Sequence, residues 1–326
     1  MKNVKSFLLI LVLAASLNGC VSMAMSAEEY FSLGMAFFDL GRFEDAERWL
    51  NRARQADRTM TASQYNLGRI AFELGRYQEA AEHFEGILRR DPNNTFALRA
   101  AAFTRIRTGE IEIAEKHYSK LLELVPDSLD LGYNHALVLF AMGHYERAEE
   151  ILLRHQFALH DDSDMLLLYA RTQRALDNIE AIDSFERWLR DNTDIQISYE
   201  FAGLLEQHGF YARALEEYRL LLEDTTPQSE PRQSDVRFAL ARVLLIADSE
   251  SIEGVTELEA AIADGFNDME AIEELIDSGR VSTANASSLR FILETLQREA
   301  RQEQPDDDDD EEENEDLSEH YPEVYP

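Results

Sequence analysis

The sequence predicts an all-α fold, a solenoid of about seven repeats closed by further helices at its C-terminal end, and three observations carry that expectation. Glycine and proline together make up only 21 of 326 residues while apolar types make up 45%, the balance of a helical, core-forming chain. Gly41, Gly75, Gly109 and Gly143 follow one another at intervals of 34 residues, and five residues after each stands an alanine, Ala46, Ala80, Ala114 or Ala148. Two residues after each glycine stands a large apolar residue, Phe43, Tyr77, Ile111 or Tyr145. A fixed period of this length marks units that cannot bury their apolar faces alone and must stack on their neighbours.

At the N-terminus, Lys2 and Lys5 precede the 11-residue apolar run Phe7–Leu17. This is the layout of a secretory signal, too short for a bilayer span, which takes roughly 20 apolar residues. The only cysteine follows in Leu17-Asn18-Gly19-Cys20. That tetrapeptide resembles a bacterial lipoprotein lipobox; Leu17 and Gly19 fit the pattern and Asn18 is less usual in it. The resemblance implies a signal peptide at 1–19, cleavage before Cys20, acyl chains on Cys20 and a lipidated tether over 20–26. Two or more acyl chains anchor a protein stably at a membrane. Val21 in place of Asp implies, by the same resemblance, sorting to the outer membrane. Plain secretion, with cleavage near Ala24-Met25-Ser26, is the alternative.

The repeats come next. The second reads Tyr65-Asn66-Leu67-Gly68, Leu74-Gly75-Arg76-Tyr77, Ala80, Phe84 and Asp91-Pro92; the first reads Leu33-Gly34, Leu40-Gly41-Arg42-Phe43, Ala46 and Leu50. Pro92 and Pro126 are again 34 apart. These residues resemble the tetratricopeptide repeat, whose unit is a helix-turn-helix and whose array is a right-handed solenoid. The small residues Gly34, Gly68, Ala102 and Ala136 then lie on the first helix of each repeat, where the pair packs closest. The glycine between the helices permits a left-handed turn, and the proline blocks continuation of the second helix. Asp177, Ile179 and Ile182 mark a degenerate fifth repeat about two residues shorter, and Gly209, Tyr211, Ala214 and Tyr218 resume the phase. Five repeats are clear and two follow by register, so the array spans 27–264 as one continuous body, although length alone suggests about two domains.

Beyond it, Leu258–Ile262 read as a last second helix closed by Asp264-Gly265. Met269–Ile276 and Leu289–Arg298 read as amphipathic helices, with Leu289, Ile292, Leu293 and Leu296 at helical spacing, so 265–303 is expected to cap the open end. Residues 304–326 carry 12 acidic side chains and no Lys or Arg, and such a block reads as a disordered acidic tail.

Composition excludes several functions. With 64 acidic against 31 basic residues and a net charge of −33, the chain lacks the basic footprint that nucleic acid requires. One cysteine permits neither an intramolecular disulfide nor a Cys-based zinc cluster. His155 and His160 are five apart, off the i, i+4 spacing that puts two ligands on one helical face, so no metal is expected there. No HExxH, P-loop, dinucleotide fingerprint or GxSxG elbow occurs, so the expectation is no enzyme and no cofactor.

What the tetratricopeptide resemblance implies is a binding groove lined by the first helices. Carried onto this chain, its groove positions fall on Phe31, Met35, Phe38, Tyr65, Arg69, Phe72, Phe96, Arg99, Phe103 and Arg107. They continue on Tyr133, Leu137, Phe140, Arg171, Arg174 and Tyr199. Aromatic and arginine side chains are enriched in interface hot spots, though such aromatics can equally serve packing between repeats. The family's carboxylate clamp for chaperone tails needs Lys and Asn where this chain has Phe31 and Met35, so that ligand is not expected. The sequence therefore points to a non-enzymatic scaffold for a protein or peptide partner, lipid-anchored in a bacterial cell envelope at the outer membrane and facing the periplasm. By resemblance, the roles open to it are pilus assembly, outer-membrane assembly and transport. A carrier of a small or hydrophobic ligand and a surface adhesin are the alternatives; partner identity and oligomeric state stay open.

Overall fold

The computed structural model describes residues 25–303, and every described element is helical. Cys20, the signal peptide at 1–19 and the acidic tail at 304–326 lie outside the described residues. Packing divides the described chain into two compact units, residues 25–131 and 132–303, within the span that the sequence reading treats as one array.

The first unit contains three complete helix pairs: α1 (Ala27–Asp39) with α2 (Phe43–Ala56), α3 (Thr61–Glu73) with α4 (Tyr77–Leu88), and α5 (Thr95–Arg107) with α6 (Ile111–Leu124). Its start is set by a capping box, in which the Glu29 amide donates to Ser26 Oγ at 3.2 Å and the Ser26 amide to Glu29 Oε2 at 2.7 Å. Gly75 ends α3 at φ +72°, with its amide donating to the Phe72 carbonyl and the Arg76 amide to the Ala71 carbonyl. That is a Schellman closure, which needs a left-handed residue that a side chain would strain. The pairs close on small residues: Ala46, Ala80 and Ala114 are completely buried, and a Cβ on Gly68 would stand 2.7 Å from Phe84 Cε1.

The second unit takes up α7 (Leu129–Ala141) from Gly132 onward, with α8 (Tyr145–Arg154), then α9 (Ser163–Ala175) with α10 (Ala181–Asp191) and α11 (Ile195–Gln207) with α12 (Tyr211–Asp224). It continues through α13 (Gln233–Ala247) with α14 (Ile252–Ala263), then α15 (Met269–Asp277) and α16 (Thr283–Glu303). First helices begin at 27, 61, 95, 129, 163, 195 and 233, so the fifth repeat is 32 residues long, as the sequence suggested, and the sixth is 38. The sixth is longer because Thr225–Arg232 forms an irregular connection before α13. In the fifth, Asp177 takes the glycine's place at φ +55° and keeps the same closure, the Asn178 amide donating to the Gln173 carbonyl at 2.9 Å.

Beyond the seventh pair, Leu289 and Leu293 pack with Phe238, Leu258, Ile272 and Leu275 in one buried cluster. The last helix begins six residues before the amphipathic segment read from the sequence and ends five after it. Its start is set by Ser282, whose hydroxyl accepts the Asn285 amide, and good helix formers past Leu296 extend it. No helix among the described residues is long and apolar enough to cross a membrane.

Two substitutions separate sterics from backbone strain. Gly68→Ala is expected to cost about 1–3 kcal/mol by overpacking against Phe84. Gly75→Ala, whose Cβ would meet nothing within 4 Å, is expected to cost about 1–2 kcal/mol through conformation alone. Urea unfolding reads both, and Gly75→Asn should recover part of the second loss because Asn tolerates the left-handed region.

Candidate functional site

In the first unit the residues assigned to binding form an aromatic and arginine stripe along α1, α3 and α5. Phe31 and Phe38 are half-buried and lean on the cluster of Ala46, Leu50, Leu67 and Ile70, so part of their surface serves packing. The Arg69 guanidinium lies over the Phe38 ring at 4.4 Å, while Arg69 Nη1 donates to Asn66 Oδ1 at 3.1 Å. Tyr65 sits 5.5 Å from Phe84 and 6.5 Å from Phe96, whose ring is 74% exposed. Phe72 bridges two repeats, with its centroid 5.1 Å from Tyr77 and 5.2 Å from Phe103. Arg107 donates to the Tyr77 hydroxyl at 3.0 Å and covers that ring at 5.0 Å.

Carboxylate pairing varies among the arginines of the first unit, and Arg52, Arg54, Arg58, Arg89 and Arg90 outside the stripe have no carboxylate within 4.0 Å among the described residues. Arg76 is paired with Glu47 and Glu79, and Arg105 with Glu85 and Glu110. Arg69, Arg99 and Arg107 have no carboxylate within 4.0 Å among the described residues. Arg69 and Arg107 are held by ring faces rather than by counter-ions, and each spends one guanidinium nitrogen on a neutral acceptor, which leaves its remaining donors to a carboxylate.

In the second unit, Tyr133 is half-buried, and Phe140 packs 5.3 Å from Tyr145. Leu137 is only 5% exposed and belongs to the core. Arg171 donates to Glu200 through Nε at 3.0 Å and Nη2 at 2.7 Å, and Arg174 reaches the same carboxylate at 3.5 Å. Beside them Arg242 forks onto Glu206 with two bonds of 2.7 Å, and the Tyr218 hydroxyl donates to Glu206 at 3.3 Å. Burial works against the Arg242 charge, but the Glu206 bonds and charge outweigh it and hold the guanidinium above its ordinary range. Burial also raises Tyr199, and more strongly Tyr218, from the usual phenol value. These residues line a cavity of about 890 Å³ together with Phe140, Gln196 and Arg280. A second cavity of about 690 Å³, between α10, α11 and α12, carries Glu186, Asp194, Glu217 and Asp224 against Arg190 and Arg213.

Two family models of the tetratricopeptide repeat match the chain, over residues 31–95 and 71–128. Residues 31–128 are tetratricopeptide repeats. Tetratricopeptide repeats are generally non-catalytic scaffolds that bind protein or peptide partners. The crystal structure of a tetratricopeptide repeat protein from Parabacteroides merdae is similar, with 22% identity, a TM-score of 0.53, and coverage of 77% of this chain and 98% of that one. A crystal structure of MamA protein matches with 18% identity and a TM-score of 0.47 over 50% of this chain and 90% of its own. The first TPR of Spaghetti (RPAP3), bound to an HSP90 peptide, matches with 20% identity and a TM-score of 0.35 over 36% of this chain and 93% of its own. The likeness to the Parabacteroides merdae protein concerns the fold alone. No curated protein matches the chain.

The tetratricopeptide register located Arg171 and Arg174 but missed Glu200, Glu206, Arg242 and Arg280. Arg242 escaped because the longer sixth repeat shifts α13 out of the 34-residue phase. Arg280 comes from the turn before α16, outside any repeat. Elsewhere, His155 caps α8 and His160 Nδ1 faces Arg187, and no three His, Cys, Asp or Glu side chains among the described residues converge as a metal set.

Replacing Glu206 tests the pairing. Glu206→Gln leaves a desolvated guanidinium without its counter-charge, and a loss of about 1–3 kcal/mol in urea unfolding is expected. Glu253→Gln, at an exposed pair with Arg219, should stay within about 0.5 kcal/mol of the parent.

Proposed function

We propose that the chain is a membrane-anchored tetratricopeptide scaffold that binds an acidic segment of a protein partner along the first-helix stripe of its first unit. One observation carries the reading. Among the described residues Arg69, Arg99 and Arg107 have no carboxylate within 4.0 Å, on helices that also carry Tyr65, Phe72 and Phe103, in a chain with 64 acidic and 31 basic residues. Keeping three guanidinium groups open in so acidic a molecule suits a ligand that brings its own carboxylates, and the aromatic faces supply buried area around them.

The anchor in this reading is lipid on Cys20, and the place of work is the bacterial envelope, at the outer membrane facing the periplasm, in assembly or transport. Support for it comes from the charged start, the short apolar run and the position of the only cysteine. A carrier of hydrophobic ligand gains no support from the two cavities, whose linings carry several charged side chains each.

A photoreactive residue at Tyr65 or Phe103 in the native envelope is expected to trap one partner, and Arg99→Glu with Arg107→Glu to reduce the yield at least about tenfold. Capture only from an exposed second-helix position such as Glu112 would overturn the stripe as the binding face. Cys20→Ser is expected to move the protein from the membrane to the soluble fraction, and unchanged membrane retention would sink the lipid anchor. Resistance to protease added to intact cells separates a periplasmic scaffold from a surface adhesin.

A further inference from the structure

The 890 Å³ cavity of the second unit brings four guanidinium groups, Arg171, Arg174, Arg242 and Arg280, against two carboxylates, Glu200 and Glu206. Both carboxylates are well covered, with side chains 15% and 13% exposed, and each locks one arginine through a two-bond fork. Arg171 and Arg242 are thereby fixed as walls. The other two are not neutralised in the same way. Arg174 shares Glu200 from 3.5 Å, and Arg280 has no carboxylate within 4.0 Å among the described residues, holding only the Tyr211 hydroxyl and ring. The cavity thus keeps an excess of positive charge beside the Tyr199 and Tyr218 rings, and its open donors have the planar fork that suits carboxylate.

A source of carboxylates lies on the same chain. α16 has 21 residues, so it is about 30 Å long, and it starts three residues after Arg280. The residues after it begin at its far end. At roughly 3.3–3.6 Å per extended residue, about nine residues are needed to run back along the helix. Glu313, Glu315, Asp316, Glu319 and Glu323 lie beyond that distance. A short tether of this kind presents its charges at an effective concentration on the order of millimolar.

We propose that this cavity is a carboxylate-binding site and that its occupant is the acidic segment 311–323 of the same chain, folded back along α16. Arg280 and Arg174 receive its carboxylates, while Glu200 and Glu206 keep Arg171 and Arg242 in position. An acidic segment of another protein enters only by displacing it, so the tail sets a threshold for binding at this cavity. The inference does not depend on what the first unit binds.

The test uses the full chain with the acidic residues of 306–323 changed to Asn and Gln, and a fluorescent synthetic peptide of residues 304–326 as the probe at low salt. The neutral-tailed chain is expected to bind the probe at least about tenfold more tightly than the parent, because the parent's site is filled from within. Arg174→Gln with Arg280→Gln in the neutral-tailed chain should remove at least about tenfold of that affinity, and added salt should weaken it. Arg219→Gln, at an exposed pair with Glu253 outside both sites, should leave it unchanged. Absence of probe binding, or indifference to the Arg174 and Arg280 changes, overturns the site. Equal binding by parent and neutral-tailed chains overturns the tail as occupant. Loss through Arg69→Gln with Arg107→Gln instead would assign the probe to the first unit and leave only the earlier reading standing.

Discussion

The structure depends on how closely the two helices of each repeat approach. A Cβ on Gly34 would stand 2.7 Å from Leu50 Cγ, one on Gly68 would meet Phe84 just as closely, and Ala46, Ala80, Ala114 and Ala148 have no exposed surface. Contact at small residues holds the two backbones near each other, and in the first six pairs the left-handed closure after the first helix then returns the chain with the pair in register. Because the contact fixes which side of a first helix faces its partner, it also fixes the side that remains. Tyr65, Arg69 and Phe72 follow one another by four and three residues and share a single stripe beside that contact. Fold and candidate site are consequences of one spacing.

Arginine is used in two ways on this scaffold. In the first unit, ring faces position Arg69 and Arg107 while leaving their remaining donors open. In the second, half-buried glutamates take the forks of Arg171 and Arg242, which fixes their geometry and offsets their charge. The ring faces under Arg69 and Arg107 orient the guanidinium as Glu200 and Glu206 do in the second unit, but bring no counter-charge. The same residue type therefore supplies free recognition groups in one place and rigid walls in the other.

Much of the fold was legible because its determinants are local and repeated. Glycine spacing, small-residue positions and the proline after the second helix marked helix pairs whose first helices begin at 27, 61, 95 and 129, and the shortened fifth repeat followed from Asp177 and Ile179. The sixth repeat's extra length was not legible, since Thr225–Arg232 is held by contacts such as the Gln233 amide on the Thr226 carbonyl rather than by any periodic signal. The candidate site was legible in part. Register placed Tyr65, Phe72, Arg171 and Arg174 on first helices but could not tell an open arginine from a paired one, because Glu200 is 29 residues from Arg171 and only packing joins them. Leu137 shows the converse error, a groove position by register that the core occupies.

Asp177 extends the point about local determinants. Its left-handed backbone is less favourable than a glycine's, yet its carboxylate accepts a 2.6 Å bond from Gln207 Nε2 at the end of the next first helix, which no glycine could do. A repeat can therefore lose its most recognisable residue and keep its geometry by bonding to its neighbour. The family models stop at residue 128, whereas helix pairs continue to Ala263. In such a chain the end of the matched region says little about where the architecture ends.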